Sequence, residues 1–235
     1  MVAHLMSQRG GLSNPPVIQV DLVADHASSQ ERAGFLWVRH VTLQNRYADG
    51  RRSQPYAYFM VERTLLDAVA IMLFRRAPAG HIEVVLRSQL RPPLAFRRSY
   101  DVPLLAEGTG AVQWEVPAGL IERGERGEAG LFRRASAEVL EEVGFTLPPE
   151  RFAMLGPASS LSPGLLAEKL HFVVAELTPD DRQVAAVGDG HAVEEGSVSV
   201  FVRLEEALAA VDAGLVHDVK TEVALGRLAR RVGAA

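Results

Sequence analysis

W-E-V-P-A-G-L-I-E-R-G-E at Trp114–Glu125 and, after a ten-residue bridge, S-A-E-V-L-E-E-V-G-F at Ser136–Phe145 are the segments whose reading decides the fold. On a helix, Glu138, Glu141 and Glu142 stand at i, i+3 and i+4, so their carboxylates share one face. Like charges so placed repel by roughly 0.2–0.5 kcal/mol per pair, a small penalty that a bound divalent cation reverses. Hard cations such as Mg²⁺ or Mn²⁺ take all-oxygen donor sets and bridge protein carboxylates to substrate phosphates. An E-x-x-E-E run serves equally well as a solvated acidic face. The upstream turn separates the two readings. Pro117-Ala118-Gly119 breaks the strand, and Gly119 allows close backbone approach, so the Ala118 carbonyl oxygen can join the same metal cluster.

Outward from this core, strand signals fall at Val17–Val23, Phe35–Leu43 and Tyr56–Glu62, with turn-forming Asp49-Gly50 between the last two. Ala68–Phe74 and Ile82–Leu90 start a main sheet, joined by the Ala77-Pro78-Ala79-Gly80 turn. Arg91–Gly110 reads as a long irregular loop. Gln113–Val116 is a short strand, and Leu131–Val143 is a helix ended by Gly144, suited to the left-handed cap. Strands resume at Phe152–Leu155, Leu170–Glu176 and Val198–Val202. Helices follow at Glu205–Ala213 and Val219–Val232, with Asp218 as N-cap of the last. Irregular mixing of strands and helices excludes a doubly wound sheet and predicts an α/β (α+β) chain, an α/β/α sandwich on a mixed sheet. Three regions are expected: a flexible leader over 1–16, a small antiparallel β-rich segment over 17–64, and the main domain over 65–235.

The central segment resembles a Nudix box, G-x5-E-x7-R-E-U-x-E-E-x-G-U, where U is aliphatic. Gly119 and Glu125 match its beginning; Glu138, Val139, Glu141, Glu142, Gly144 and Phe145 match its end. Eleven residues rather than seven separate Glu125 from Ala137, and Ala137 stands where the family has arginine. The four extra residues are close to one helical turn of about 3.6 residues, which keeps the faces nearly in phase. Arg133, four residues before Ala137, then lies on the face of the missing arginine, and it or Arg134 supplies that charge. In this reading Gly119, Glu125, Arg133 and Gly144 are structural box residues. Ala118, Glu138, Glu141 and Glu142 are the metal ligands, with Glu141 also counted among the catalytic residues.

The flanks resemble the ADP-ribose and ADP-sugar pyrophosphatase branch: L-R-S-Q-L-R-P-P at Leu86–Pro93, S-P-G-x4-E-K at Ser162–Lys169, and D-V-K-T-E-V-A-L at Asp218–Leu225. That resemblance implies hydrolysis of the diphosphate linkage of ADP-ribose or a related nucleotide sugar, a Mg²⁺ or Mn²⁺ cofactor, and a homodimer built with the N-terminal strands. It implies a substrate-binding arginine at Arg91. It also implies a catalytic glutamate on the Gly188–Gly196 loop, with Glu194 first and Glu195 second. Arg98, among the Phe96, Arg97 and Tyr100 of the long loop, is a second candidate substrate contact. The altered box leaves open a nucleotide sensor on the same fold.

The remaining composition narrows the class. A net charge of −4 without a basic run disfavours nucleic-acid polymers, and the absence of cysteine excludes disulfides, thiolate metal sites and cysteine nucleophiles. The longest apolar stretch, Leu65–Phe74, is interrupted by Asp67 and is too short for a bilayer, so no membrane partner and a cytoplasmic location are expected.

Overall fold

The computed structural model describes residues 16–26, 35–104, 110–188 and 190–233. Of the expected leader, only Pro16 falls within them. The chain divides into two compact units, Met1–Thr64 and Leu65–Ala235.

In the first unit, β1 (Ile18–Asp25), β2 (Leu36–Tyr47) and β3 (Tyr56–Arg63) form an antiparallel sheet in that order. The β2–β3 connection turns at Asp49-Gly50, where Gly50 has φ +84° and Asp49 Oδ1 accepts the Arg51 N–H. Because paired residues share a face, Leu36, Val38 and Phe59 stand together on one side of this sheet. Ile18, Val20 and Leu22 stand on the other, and all six are exposed.

The second unit is built on β4 (Ala68–Arg76), β5 (Ile82–Leu90), β6 (Val112–Glu115), β7 (Ala118–Leu120), β8 (Ala153–Met154), β9 (Leu170–Leu177) and β10 (Ser199–Arg203). Its helices are α1 (Pro92–Ala95), α2 (Gly127–Val143), α3 (Leu204–Asp212) and α4 (Val219–Val232). The sheet order is β10-β5-β4-β9-β8, with β4 and β9 parallel and the other pairs antiparallel. β4 shows why both faces are covered. Ala68, Ala70, Met72 and Phe74 pack with α3 and α4 residues such as Leu204, Leu225 and Leu228. Val69, Ile71 and Leu73 pack with Leu131, Ala135, Val139 and Val143 of α2. A period of two with both parities apolar is the pattern of a strand buried on both sides. The α/β/α sandwich on a mixed sheet is thus the fold observed.

Two local readings need correction, and both bear on the site. β4 and β5 pair only at Phe74–Arg76 with Ile82–Val84. Beyond that point β6 runs along β5, and after Val116-Pro117 the chain re-enters the sheet as β7 beside β4. Pro117-Ala118-Gly119 therefore interrupts one pairing and starts another, with the Pro117 carbonyl accepting from Ile71 N–H at 2.9 Å. Helix α2 starts at Gly127, four residues before the expected Leu131. Glycines obscured that start in the sequence, yet Gly130 is there for packing: a Cβ on it would meet the Glu125 backbone at 2.6 Å. In the described part of the expected loop, α1 is followed by a 3-10 turn at Arg97–Ser99. Among the described residues no helix is long and apolar enough to cross a membrane.

Candidate functional site

β7 and α2 bring the two halves of the central segment into contact. Ile71 N–H to Pro117 O and Ile121 N–H to Asp67 O flank β7, so the Ala70–Ala118 pair is a non-hydrogen-bonded one and both polar groups of Ala118 turn away from β4. The Ala118 N–H donates to Glu142 Oε2 at 3.0 Å. Its carbonyl is likewise not taken up by the β4 ladder. Gly119 lies against Glu138: a Cβ there would meet Glu138 Oε1 at 1.7 Å and Cγ at 2.6 Å. Gly144 ends α2 in the left-handed conformation with φ +76°, and a Cβ on it would strike the Val184 carbonyl at 2.0 Å. Both glycines are thus required, Gly119 by space and Gly144 by space and conformation.

The carboxylates are held apart from bulk water. Burial pushes Glu138 up to about 7; Arg134 opposes this, while the charges of Glu141 and Glu194 add to it. Burial pushes Glu142 up to about 8; Arg87 opposes this, while Glu138 and Glu194 add to it. Glu194 therefore stands near enough to both for its charge to matter. Exposed Glu195 lies on the rim. An open cavity of about 380 Å³ is lined in part by Arg87, Glu141, Glu142, Gly188, Glu194 and Glu195.

Arginines hold this acidic group. Arg134 Nε lies 3.2 Å from Glu125, its Nη1 3.5 Å from Glu138 and its Nη2 3.7 Å from Glu122. Arg133 is exposed. Of the two arginines offered for this charge, Arg134 is the one beside Glu138, because the one-residue rotation of about 100° turns it toward the glutamate at i+4. Glu125 also accepts from the Glu122 N–H at 2.7 Å, which closes the turn before α2.

Arg87 was not anticipated. It is 3% exposed, lies against Glu142, and has Nη1 3.5 Å from Glu194 Oε1. The signal was present in the sequence: Arg87 has the parity of Val85, which faces α2 in the core, and a charge at an inward strand position requires partners.

Arg91 stands near enough to Glu142 for their charges to interact, but its direct partner is Glu115. Its Nε donates to Glu115 Oε1 at 2.7 Å, and Lys220 also contacts this buried carboxylate. Burial alone would raise Glu115, but hydrogen bonding and charge from Arg91 and the charge of Lys220 carry it down to about 2. Asp218 caps α4, accepting from Thr221 N–H at 3.0 Å, while Thr221 Oγ1 accepts the Val116 N–H at 2.9 Å. Residues from Q-L-R, W-E-V-P and D-V-K-T thus meet in one network. Of Arg98 only the backbone is described, within the 3-10 turn.

No group of three or more acidic or histidine side chains among the described residues is already gathered around a metal position; Glu142 turns to Arg87 and Glu138 to Arg134. The donor chemistry nevertheless fits a hard divalent cation. The groups are oxygen donors, two are partly buried carboxylates whose ionisation is opposed, and an Ala118 carbonyl free of the β4 ladder stands beside them.

No protein-family model matches the sequence. The chain is 31% identical over 132 residues to an ADP-sugar pyrophosphatase of Mus musculus, across 54% of this chain and 50% of that protein. It thus spans about half the length of the curated relative it matches. A solved structure described as an ADP compounds hydrolase superposes with a TM-score of 0.56 at 18% identity, covering 96% of this chain and 98% of that one. The chain has the Nudix fold. The sequence likeness to an ADP-sugar pyrophosphatase agrees with the resemblance read from the sequence, and the solved structure supports the fold.

Proposed function

We propose that this chain is a metal-dependent Nudix pyrophosphohydrolase acting on the diphosphate linkage of a nucleoside diphosphate compound, ADP-ribose or a related nucleotide sugar, to release a nucleoside monophosphate and a sugar phosphate. The observation that carries this reading is the meeting of Glu138 and Glu142 at the Ala118-Gly119 segment, with Glu194 within charge range of both, beside an open cavity. The names of the two relatives support the substrate class.

In this reading Glu138, Glu141, Glu142 and the Ala118 carbonyl hold Mg²⁺ or Mn²⁺. The chemistry such a cation supplies is polarisation of the phosphoryl oxygens and neutralisation of charge on the leaving phosphate. Glu194 orients the attacking water and takes its proton, with Glu195 the second candidate for that role. Arg91, fixed on Glu115 yet 44% exposed at its side chain, offers its remaining N–H groups to a substrate phosphate, and Arg98 is a further candidate contact. Arg134 keeps Glu138 in place through its charge.

The homodimer belongs to this reading too, through the exposed apolar residues of the N-terminal sheet. Val38→Asp should leave the chain folded and shift its sedimentation from dimer to monomer; a wild-type monomer would remove the dimer from the account.

The test of function is release of phosphate monoesters, detected with added phosphatase, from ADP-ribose, ADP-glucose, GDP-mannose, NADH and diadenosine polyphosphates. Turnover of an ADP-ribose-type substrate that requires Mg²⁺ or Mn²⁺ and stops with chelator is the expected result. Silence across the panel with nucleotide binding retained would replace the hydrolase with a sensor.

A further inference from the structure

We infer that Arg87 is a positioning residue whose buried guanidinium docks the Glu194–Ser197 turn, and with it Glu194, against Glu142 of α2. The kinetic part of this inference rests on the hydrolase reading; the docking itself rests on geometry.

One edge of the guanidinium grips the turn: Nε and Nη2 donate to Ser197 Oγ at 3.3 and 3.2 Å. The remaining nitrogen, Nη1, faces Glu142 and lies 3.5 Å from Glu194 Oε1. The turn is closed by Ser197 N–H to Glu194 O at 3.0 Å, so fixing Ser197 fixes the backbone that carries Glu194. Ser88, next to Arg87 on β5, reinforces the attachment. Its N–H donates to Val198 O at 2.8 Å, its Oγ accepts from Val198 N–H at 3.0 Å, and its carbonyl accepts from Ser197 Oγ. On the helix side, Gly188 N–H donates to Glu141 O at 2.9 Å.

Charge explains why an arginine stands there. Glu142 and Glu194 repel each other, and a cation between them offsets that repulsion. A guanidinium presents donors along two edges of a rigid plane, so it can hold a hydroxyl and two carboxylates together, whereas an ammonium supplies only a point charge. Arg87 is placed on β5 by its pairing with Ser199 of β10, the strand that follows the turn.

The test uses Arg87→Met, Arg87→Lys and Ser197→Ala in the full chain, read by amide hydrogen exchange at Glu194 and Ser197 and by steady-state kinetics on the substrate identified for the wild type. Arg87→Met should speed exchange at those amides and lower kcat by roughly 10²-fold with little change in KM, the signature of a displaced group near the chemistry. Ser197→Ala should move both readouts the same way by less, and Arg87→Lys should recover part of kcat. Adding Ser197→Ala to Arg87→Met should change little more, since both remove one attachment. A folded Arg87→Met protein with wild-type exchange and kcat overturns the inference. A rise in KM alone overturns it too, because Arg87 would then be a substrate contact. If Arg87→Met does not fold, unchanged exchange in both Ser197→Ala and Arg87→Lys overturns it. Absence of wild-type turnover would count against the hydrolase reading, while exchange still decides the docking.

Discussion

Gly119 and Glu138 approach so closely that only a hydrogen fits between them, since a Cβ on Gly119 would stand 1.7 Å from Oε1 and 2.6 Å from Cγ of the glutamate. β7 and the carboxylate face of α2 are thus in close contact at this point.

Gly119→Ala should therefore displace the whole Glu138 side chain, because the clash includes Cγ as well as the carboxylate end. The protein should lose about 1–3 kcal/mol of stability from overpacking and roughly 10²-fold in kcat from the misplaced group. Chemical denaturation and steady-state kinetics check both; wild-type values would mean that the carboxylate has room to move aside without consequence.

The two adjacent arginines of α2 should behave differently. Arg134→Met removes the cation shared by Glu122, Glu125 and Glu138 and should cost about 1.5–3 kcal/mol, the range for hydrogen bonds to charged groups. Arg133→Met, at an exposed position, should fall within about 0.5 kcal/mol of wild type. Thermal unfolding of the pair decides it, and equal effects would contradict the placement of the box charge on Arg134.

Acid should expose the Glu115 network. Its carboxyl lies at about 2 in the folded chain against an ordinary value of 4.5. The folded-state value is depressed, so its stabilisation is complete above about 4.5 and is lost as pH falls toward 2. Glu115→Gln leaves Arg91 and Lys220 without their shared carboxylate. The stability gap between wild type and this variant should stay constant from pH 7 to about 5 and then narrow. Urea unfolding along that pH series checks this, and a gap independent of pH down to 3 would contradict it.

The architecture was legible where periodicity and punctuation agree. Ala68–Phe74 reads as a strand because both parities are apolar, and Asp218 reads as a cap because its oxygen can reach Thr221. Glu138, Glu141 and Glu142 were legible as one face from helical spacing alone. Three features escaped for separate reasons. β7 is three residues long and follows a proline, too little for an alternation to show. The first turn of α2 contains Gly127 and Gly130, which local propensity counts against a helix, although close packing on Glu125 needs the second. Arg87 depends on a partner 55 positions away, at Glu142, a separation that neither spacing nor propensity encodes. Arg87 and Arg91 both lie in L-R-S-Q-L-R with the same parity, and local spacing does not tell which pairs with Glu142 and which with Glu115.

The most direct measurement is ADP-ribose hydrolysis by wild type and Glu142→Gln, each with Mg²⁺ and with chelator, alongside circular dichroism of both proteins. The account predicts AMP and ribose 5-phosphate from wild type with Mg²⁺ only, and turnover abolished in a folded Glu142→Gln chain. Undiminished turnover by that variant would contradict the assignment of this site.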